Sequence, residues 1–369
     1  MKKFLALMMA LVLSLSLVAC GGGDDKEKDQ DDDQAGTAAE LNVGVFWFTF
    51  SDPYLTTVRT AMHDELEAIG AKYQDYDAGN VQATQIDQVN TALNDGANLL
   101  VVNIVETSSS DSAKQICDLA KAVDVPVIFF NREVADDVIN GYENCAFVGT
   151  DADAAGHMQG EMIASYLLEN YEEADLNGDG VISYVMFKGQ EANKEAEART
   201  KYSVEDANKK LTEAGKPELK FFDEKNASKY LVDPNGAWSN QAATDYMQSI
   251  LAAYTEENHN MIELVIANND GMAEGAIAAL QQAGYNTGEE GSTTIPVYGV
   301  DAMATALQKI EKGQMTGTAK QDGPLMAKTI VELAKNVADG EALMANTDEY
   351  DIKEGVAKIL LPYFEVTGK

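Results

Sequence analysis

Short apolar runs that end on a polar side chain recur along this chain, and they constrain its fold more than any other feature. Val265-Ile266-Ala267 stops at Asn268-Asn269-Asp270, Val101-Val102 at Asn103, and Ile128-Phe129-Phe130 at Asn131. Val297-Tyr298-Gly299-Val300 stops at Asp301, and Gly317-Thr318-Ala319 at Lys320-Gln321. Each run suits a strand buried on both faces. Between the runs, apolar residues fall three or four apart, as on one face of a helix. After Pro53 these are Leu55, Val58, Met62, Leu66 and Ile69; near the end they are Ile330, Leu333, Ala334 and Val337. Alternating strands and helices predict an α/β chain with doubly wound parallel sheets. There are too many strands for one comfortable sheet, and 369 residues suffice for two lobes. In such sheets ligands bind outside the carboxyl ends of the strands. The polar strand ends are therefore the first candidates for a site.

A formal charge of −34 argues against nucleic acid as a partner, because a polyanion would be repelled. Lys2 and Lys3 precede an apolar run over residues 4–18, and Leu17-Val18-Ala19-Cys20 follows. This reads as a secretory signal over residues 1–20. Its ending resembles the lipobox of bacterial lipoproteins, which would make Cys20 the lipidated first residue of an extracytoplasmic protein anchored to the cell membrane. Residues 21–40 hold little to bury, and residues 24–33 carry seven acids and two lysines. This stretch reads as a disordered acidic spacer. Cys117 and Cys145 make no disulfide framework, and two separate buried thiols are expected.

Asp175-Leu176-Asn177-Gly178-Asp179-Gly180-Val181-Ile182-Ser183 alternates oxygen donors with other residues. Side-chain donors at Asp175, Asn177, Asp179 and Ser183, with the Val181 carbonyl, have the spacing that wraps a calcium ion, and Gly180 stands at the sharp turn. The closing glutamate of an EF-hand loop is missing, since Met186 holds its place. A carboxylate would have to arrive from elsewhere.

These stretches, together with Val148-Gly149-Thr150-Asp151, Ala196-Glu197-Ala198-Arg199-Thr200 and the segments ending at Asn131, Asp270 and Asp301, resemble the galactose/glucose-binding proteins of ABC importers. The likeness runs from about residue 41 to 362. It implies the type I periplasmic binding protein fold: two doubly wound lobes joined by three hinge crossings, with sugar in the cleft. On that reading residues 41–124 plus 322–357 form the N-terminal lobe, and residues 125–321 plus 358–369 the C-terminal lobe with the calcium loop. The resemblance supplies Glu263 as the missing metal ligand. It implies Tyr54 and Trp238 as the aromatic faces against a pyranose, and Asp52, Asn103, Arg199, Asn269 and Asp301 as partners of its hydroxyl rim. Flat rings suit the apolar C–H faces of a sugar, and planar polar groups suit its hydroxyls.

Three positions depart from the family pattern. Asn193 stands where the family has histidine, Glu195 where it has aspartate, and Gln321 where it has asparagine. All three remain able to hydrogen-bond and belong with the sugar-binding set, but they leave galactose against glucose open. For Asp52, Asn269 and Asp301, a helix cap is the alternative role; for Trp238, core packing.

The expected function is a monomeric, calcium-bearing sugar receptor for an ABC permease, with a possible second role presenting the closed form to a sensor or chemoreceptor. A binding protein for a different monosaccharide is one alternative. Another is a carbohydrate hydrolase using Asp52 and Asp301 as paired carboxylates. The chain has no P-loop and no G-x-S-x-G, and His63, His157 and His259 lie away from the candidate site, so no enzyme is expected. A DNA-binding repressor built on the same lobe pair would need a basic head domain where this chain has an acidic spacer.

Overall fold

The computed structural model describes residues 40–368. The signal, most of the spacer and Cys20 fall outside the described residues.

The first lobe begins with β1 (Asn42–Trp47), α1 (Pro53–Ala68), β2 (Lys72–Asp77), α2 (Gln82–Asn94) and β3 (Leu99–Val102). It continues with α3 (Asp111–Lys121), β4 (Val127–Phe130), α4 (Asp136–Asn140) and β5 (Cys145–Thr150). The chain then enters the second lobe with α5 (Ala152–Ala174), β6 (Ser183–Lys188), α6 (Lys194–Glu213), β7 (Lys220–Phe221) and β8 (Leu231–Val232). The second lobe goes on through α7 (Asn240–Leu251), β9 (Leu264–Ala267), α8 (Asp270–Gln282), β10 (Val297–Val300), α9 (Ala304–Glu311) and β11 (Gly317–Gln321). It returns with α10 (Gly323–Ala338) and β12 (Lys358–Leu361), and ends in the second lobe with β13 (Tyr363–Thr367).

The first sheet runs β12-β5-β4-β3-β1-β2, all parallel, and the second β13-β11-β10-β9-β6-β7 with β8 also on β6. In the second sheet β13 alone is antiparallel to its neighbour. Each sheet is buried on both faces. In the first, α1 and α10 cover one side, with α2 and α3 on the other. In the second, α7 and α8 cover one side, with α5 and α6 on the other.

The lobe boundaries differ from the expected ones. β4 and β5 belong to the first sheet, through Leu100↔Val127 and Val127↔Cys145, and β12 joins them through Lys358↔Phe147. The crossings therefore lie at Thr150–Asp151, at Gln321–Asp322 and around Pro362, not at 124–125 and 357–358. An apolar run such as 125–130 looks the same in either sheet, because both sheets bury their strands on both faces.

Cys117 and Cys145 are both buried and unbonded, yet they are neighbours, with sulfurs 3.7 Å apart between α3 and β5. At the hinge, Lys358 is fully buried. Its ammonium meets Glu133 at 2.8 Å, Asp136 at 2.8 Å and the Val134 carbonyl. Glu133 in turn pairs with Lys194 of the second lobe. No helix among the described residues is long and apolar enough to cross a membrane.

Candidate sugar cleft and metal loop

The carboxyl ends of both sheets face one narrow cleft, whose free volume is about 40 Å³. The first lobe contributes Phe48, Asp52, Tyr54, Asn131 and Arg132; the second contributes Asn193, Glu195, Arg199, Trp238, Asn269, Asp301 and Gln321.

Three of these lining residues are also helix caps, whereas Asp301 is not, since Met303 stands at the cap of α9. Asp52 caps α1 by accepting the Leu55 N–H at 2.9 Å, with Pro53 in the first turn. Asn193 caps α6 through the Ala196 N–H at 2.9 Å, and Asn269 caps α8 through the Met272 N–H at 2.9 Å. A cap uses one face of a planar side chain and holds the rest at a fixed angle over the cavity. Asn269 also donates to the Trp238 carbonyl at 3.3 Å. Trp238 sits in the left-handed region, at φ 57°, and its indole lies on the backbone of Gly189. A Cβ at Gly189 would meet that ring at 2.1 Å, so only glycine admits it.

Arg199 is buried and donates to the Asn268 carbonyl at 2.9 Å, to Gln321 Oε1 at 3.2 Å and to Tyr363 Oη at 3.1 Å. Its guanidinium lies 5.7 Å from the Trp238 ring centre. Burial raises the carboxyls of Asp52 and Asp301, the latter well above its ordinary range, and Arg199 opposes both shifts. The phenol of Tyr54 is pushed well up by burial and by Asp301, with Gln321 and Arg199 acting the other way. Glu195 accepts the Glu133 N–H at 2.8 Å across the lobes through Oε1.

Four buried polar atoms on these side chains have no partner: Tyr54 Oη, Glu195 Oε2, Arg199 Nε and Gln321 Nε2. A buried group left unpaired costs about 1–3 kcal/mol, so the cavity is unsatisfied without a polar occupant.

Asn103 does not line the cavity. It is fully buried behind Asn131, donating to the Phe130 carbonyl at 3.1 Å and to Asn131 Oδ1 at 3.2 Å, and accepting the Phe48 N–H at 3.3 Å. β3 and β4 end side by side, and it is the β4 residue that reaches the cleft. Asn103 holds Asn131 and Phe48 in place. Arg132 had no motif to mark it. It stacks at 4.3 Å over Phe48, donates to the Ile104 and Val105 carbonyls at 2.9 and 2.8 Å, and reaches Gln190 of the other lobe. Burial lowers its pKa to about 10. Its only sequence signal is its place directly after the strand end at Asn131. The three histidines lie away from the cleft lining; His63 pairs with Asp75 and His157 with Asp206.

Asn268 and Asp270 are buried supports. Asn268 Oδ1 accepts the Gly189 N–H at 3.1 Å. Asp270 accepts from the Thr318 hydroxyl at 2.7 Å and the Met303 N–H at 2.8 Å. Burial, with Glu274 adding to it, raises the Asp270 pKa to about 7 against these hydrogen bonds. A folded pKa above the unfolded one means the native state holds the extra proton. The contribution of Asp270 to stability is then full below about pH 4 and is lost as pH rises towards 7, by up to about 1.4 kcal/mol per pH unit. The melting temperature is expected to fall between pH 5 and pH 8. A flat or rising profile in differential scanning calorimetry would contradict this assignment.

The loop with metal spacing sits between α5 and β6. The Asp175 carboxylate accepts the N–H groups of Gly178, Asp179 and Gly180, and Asp179 accepts that of Val181. Glu263 arrives from beside β9, fully buried, and accepts the N–H groups of Asn177 at 2.7 Å and Ser183 at 2.8 Å. The side chains of Asn177 and Ser183 bond the Met261 main chain. Among the described residues no three His, Cys, Asp or Glu side chains converge into a ready-made ion cage. The donor chemistry nevertheless fits a hard cation. Burial and the charge of Asp175 raise the Glu263 carboxyl, and burial with Asp175, Glu263 and Asp179 raises the Tyr171 phenol. Three carboxylates thus act on one region, with Lys216 over the Tyr171 ring at 4.1 Å.

Comparison with known proteins defines the class. Residues 43–342 match the periplasmic binding protein domain family. The chain is 33% identical to the D-galactose/methyl-galactoside binding periplasmic protein MglB of Haemophilus influenzae, covering 90% of this chain and 91% of that protein. It is 24% identical to the ribose import binding protein RbsB of Bacillus subtilis, over 83% of this chain and 85% of that one. A Bacillus halodurans ABC transporter solute binding protein with bound myo-inositol superposes with a TM-score of 0.68 at 24% identity, over 90% of this chain and 96% of that one. A Clostridium phytofermentans counterpart with bound β-D-glucose gives 0.67 at 22%, over 88% and 94%. These structures establish the fold. The chain belongs to the periplasmic binding proteins and, within them, to the sugar-binding solute receptors of ABC transporters. They are extracytoplasmic binding proteins and not enzymes, which removes the hydrolase reading.

Proposed function

We propose that this chain captures an aldohexose, galactose or glucose, between its lobes and delivers it to an ABC import permease, as a lipid-anchored monomer with a structural calcium ion. The observation that carries the reading is the set of four unpaired polar atoms around a cavity walled by Tyr54 and Trp238. A pyranose has apolar faces for the two rings and a hydroxyl rim for Asp52, Asn131, Asn193, Glu195, Arg199, Asn269, Asp301 and Gln321. The nearest support for galactose is the name of the Haemophilus relative. Binding would stabilise the closed lobe pair and shift the open–closed population, the form a permease or a sensor could read.

Calcium would be held by Asp175, Asn177, Asp179, Ser183 and Glu263 with the Val181 carbonyl. There it would neutralise the carboxylates and tie the α5–β6 loop to the strand bearing Glu263.

Calorimetric titration with galactose, glucose, ribose and myo-inositol, with and without chelator, tests both parts. The expected result is tight binding of a hexose, with chelation lowering the melting temperature by several degrees but affinity only modestly, because loop and cleft are separate sites. No heat with any hexose would defeat the sugar assignment. A melting temperature indifferent to chelator and to added calcium would defeat the metal.

A further inference from the structure

Each of the three crossings between the lobes carries a polar side chain, and the three meet. Thr150 is the last residue of β5, Gln321 the last of β11, and Tyr363 the first of β13. Tyr363 Oη lies 2.8 Å from Thr150 Oγ1, accepts from Arg199 Nη2 at 3.1 Å and donates to Gln321 Oε1 at 3.4 Å. Arg199 also donates to Gln321 Oε1 at 3.2 Å. All four residues are buried. One phenol oxygen therefore touches both other crossings and an arginine of the cleft, although Tyr363 does not itself line the cavity.

We propose that Tyr363 is a positioning residue that couples occupancy of the cleft to the orientation of the lobes; this rests on the hexose reading above. Thr150 belongs to the first lobe's sheet, while Gln321 and Arg199 belong to the second lobe. The full set of bonds can form in only one lobe orientation, because rotation at the crossings moves Thr150 relative to the other two. Two of the cleft's unpaired atoms, Arg199 Nε and Gln321 Nε2, are on the side chains that the phenol holds. A ligand that accepts from them fixes both side chains, hence the phenol, hence Thr150. Linkage makes the effect reciprocal: a hinge held closed presents both donors at the angle the ligand needs. Burial raises the phenol's pKa, so it keeps the proton it donates.

The test is Tyr363→Phe, which keeps the ring and removes the hydroxyl. Wild type and variant are titrated with galactose and glucose by calorimetry, dissociation is followed by stopped flow, and lobe closure by small-angle X-ray scattering. The variant is expected to bind about tenfold more weakly, through faster dissociation, with incomplete closure at saturating sugar. Its ligand-free melting temperature should stay within a few degrees of wild type. Thr150→Val, which cuts the phenol from the first lobe but leaves Arg199 and Gln321 bonded, should reproduce the closure defect. Wild-type affinity and closure in Tyr363→Phe would overturn the inference and leave the hexose reading standing. So would a loss of stability with closure unchanged in both variants. A wild-type protein that binds no hexose would overturn both.

Discussion

Arg199→Met is expected to abolish hexose binding, weakening it a hundredfold or more while leaving the fold intact. Two losses combine. The first is direct: hydrogen bonds from a charged donor are worth about 1.5–3 kcal/mol each, and Arg199 carries an unpaired donor at the cavity and steadies Gln321. The second is electrostatic. Arg199 is the cation that opposes the upward shifts of Asp301 and Asp52. Without it the upward shift of the Asp301 carboxyl by burial is no longer opposed, which weakens Asp301 as a charged acceptor for sugar hydroxyls. About 3 kcal/mol in total is a factor above one hundred in Kd. Calorimetric titration and a thermal melt of the same sample check it. A variant that binds within tenfold of wild type would show that Arg199 braces the cleft without recognising the ligand.

The largest effect on stability is expected from Lys358→Met. The lysine is fully buried with its ammonium between Glu133, which is 6% exposed by side chain, and Asp136. Removing one member of a buried ion cluster leaves the others charged in a poor solvent and costs about 3–5 kcal/mol. At neutral pH the melting temperature should drop by roughly 5 °C, because an unfolding entropy of about 2.1 cal/mol/K per residue makes each kcal/mol worth about 1.5 °C in a chain of this length. Acid should narrow the gap. The lysines hold Glu133 below its ordinary value and Asp136 at about 2. Their contribution is therefore present above the unfolded carboxyl range near pH 4 and fades as pH falls towards 2. Melts of both proteins between pH 7 and pH 3 test this. A gap that stays constant to pH 3 would mean the loss comes from packing, not charge.

The α/β class and the polar strand ends were legible because period and punctuation are local properties of the chain. Asp52, Arg199, Trp238, Asn269, Asp301 and Gln321 all reach the cavity, as do Tyr54, Asn193 and Glu195. What could not be read was which of two adjacent strand ends comes forward. Asn103 and Asn131 follow equally apolar runs, and only the stagger of β3 against β4 sends Asn131 into the cleft. The same limit moved the lobe boundary from 124 to 150, since a strand buried on both faces carries no mark of its sheet. Arg132 went unseen because its role depends on Phe48, Ile104 and Gln190, which the chain brings together only on folding. The adjacency of Cys117 and Cys145 is likewise a matter of how α3 lies on β5.

The order in which the strands enter the first sheet has a further consequence. β12, the penultimate strand, docks against β5, and the Thr150–Tyr363 contact joins residues 213 positions apart. A first lobe made during synthesis lacks that edge strand until nearly the whole chain is present. Its partner sheet waits for β13 in the same way. Folding that depends on such distant pairings is slow. Both lobes are therefore completed by strands from the last stretch of the sequence, β12 on β5 and β13 on β11.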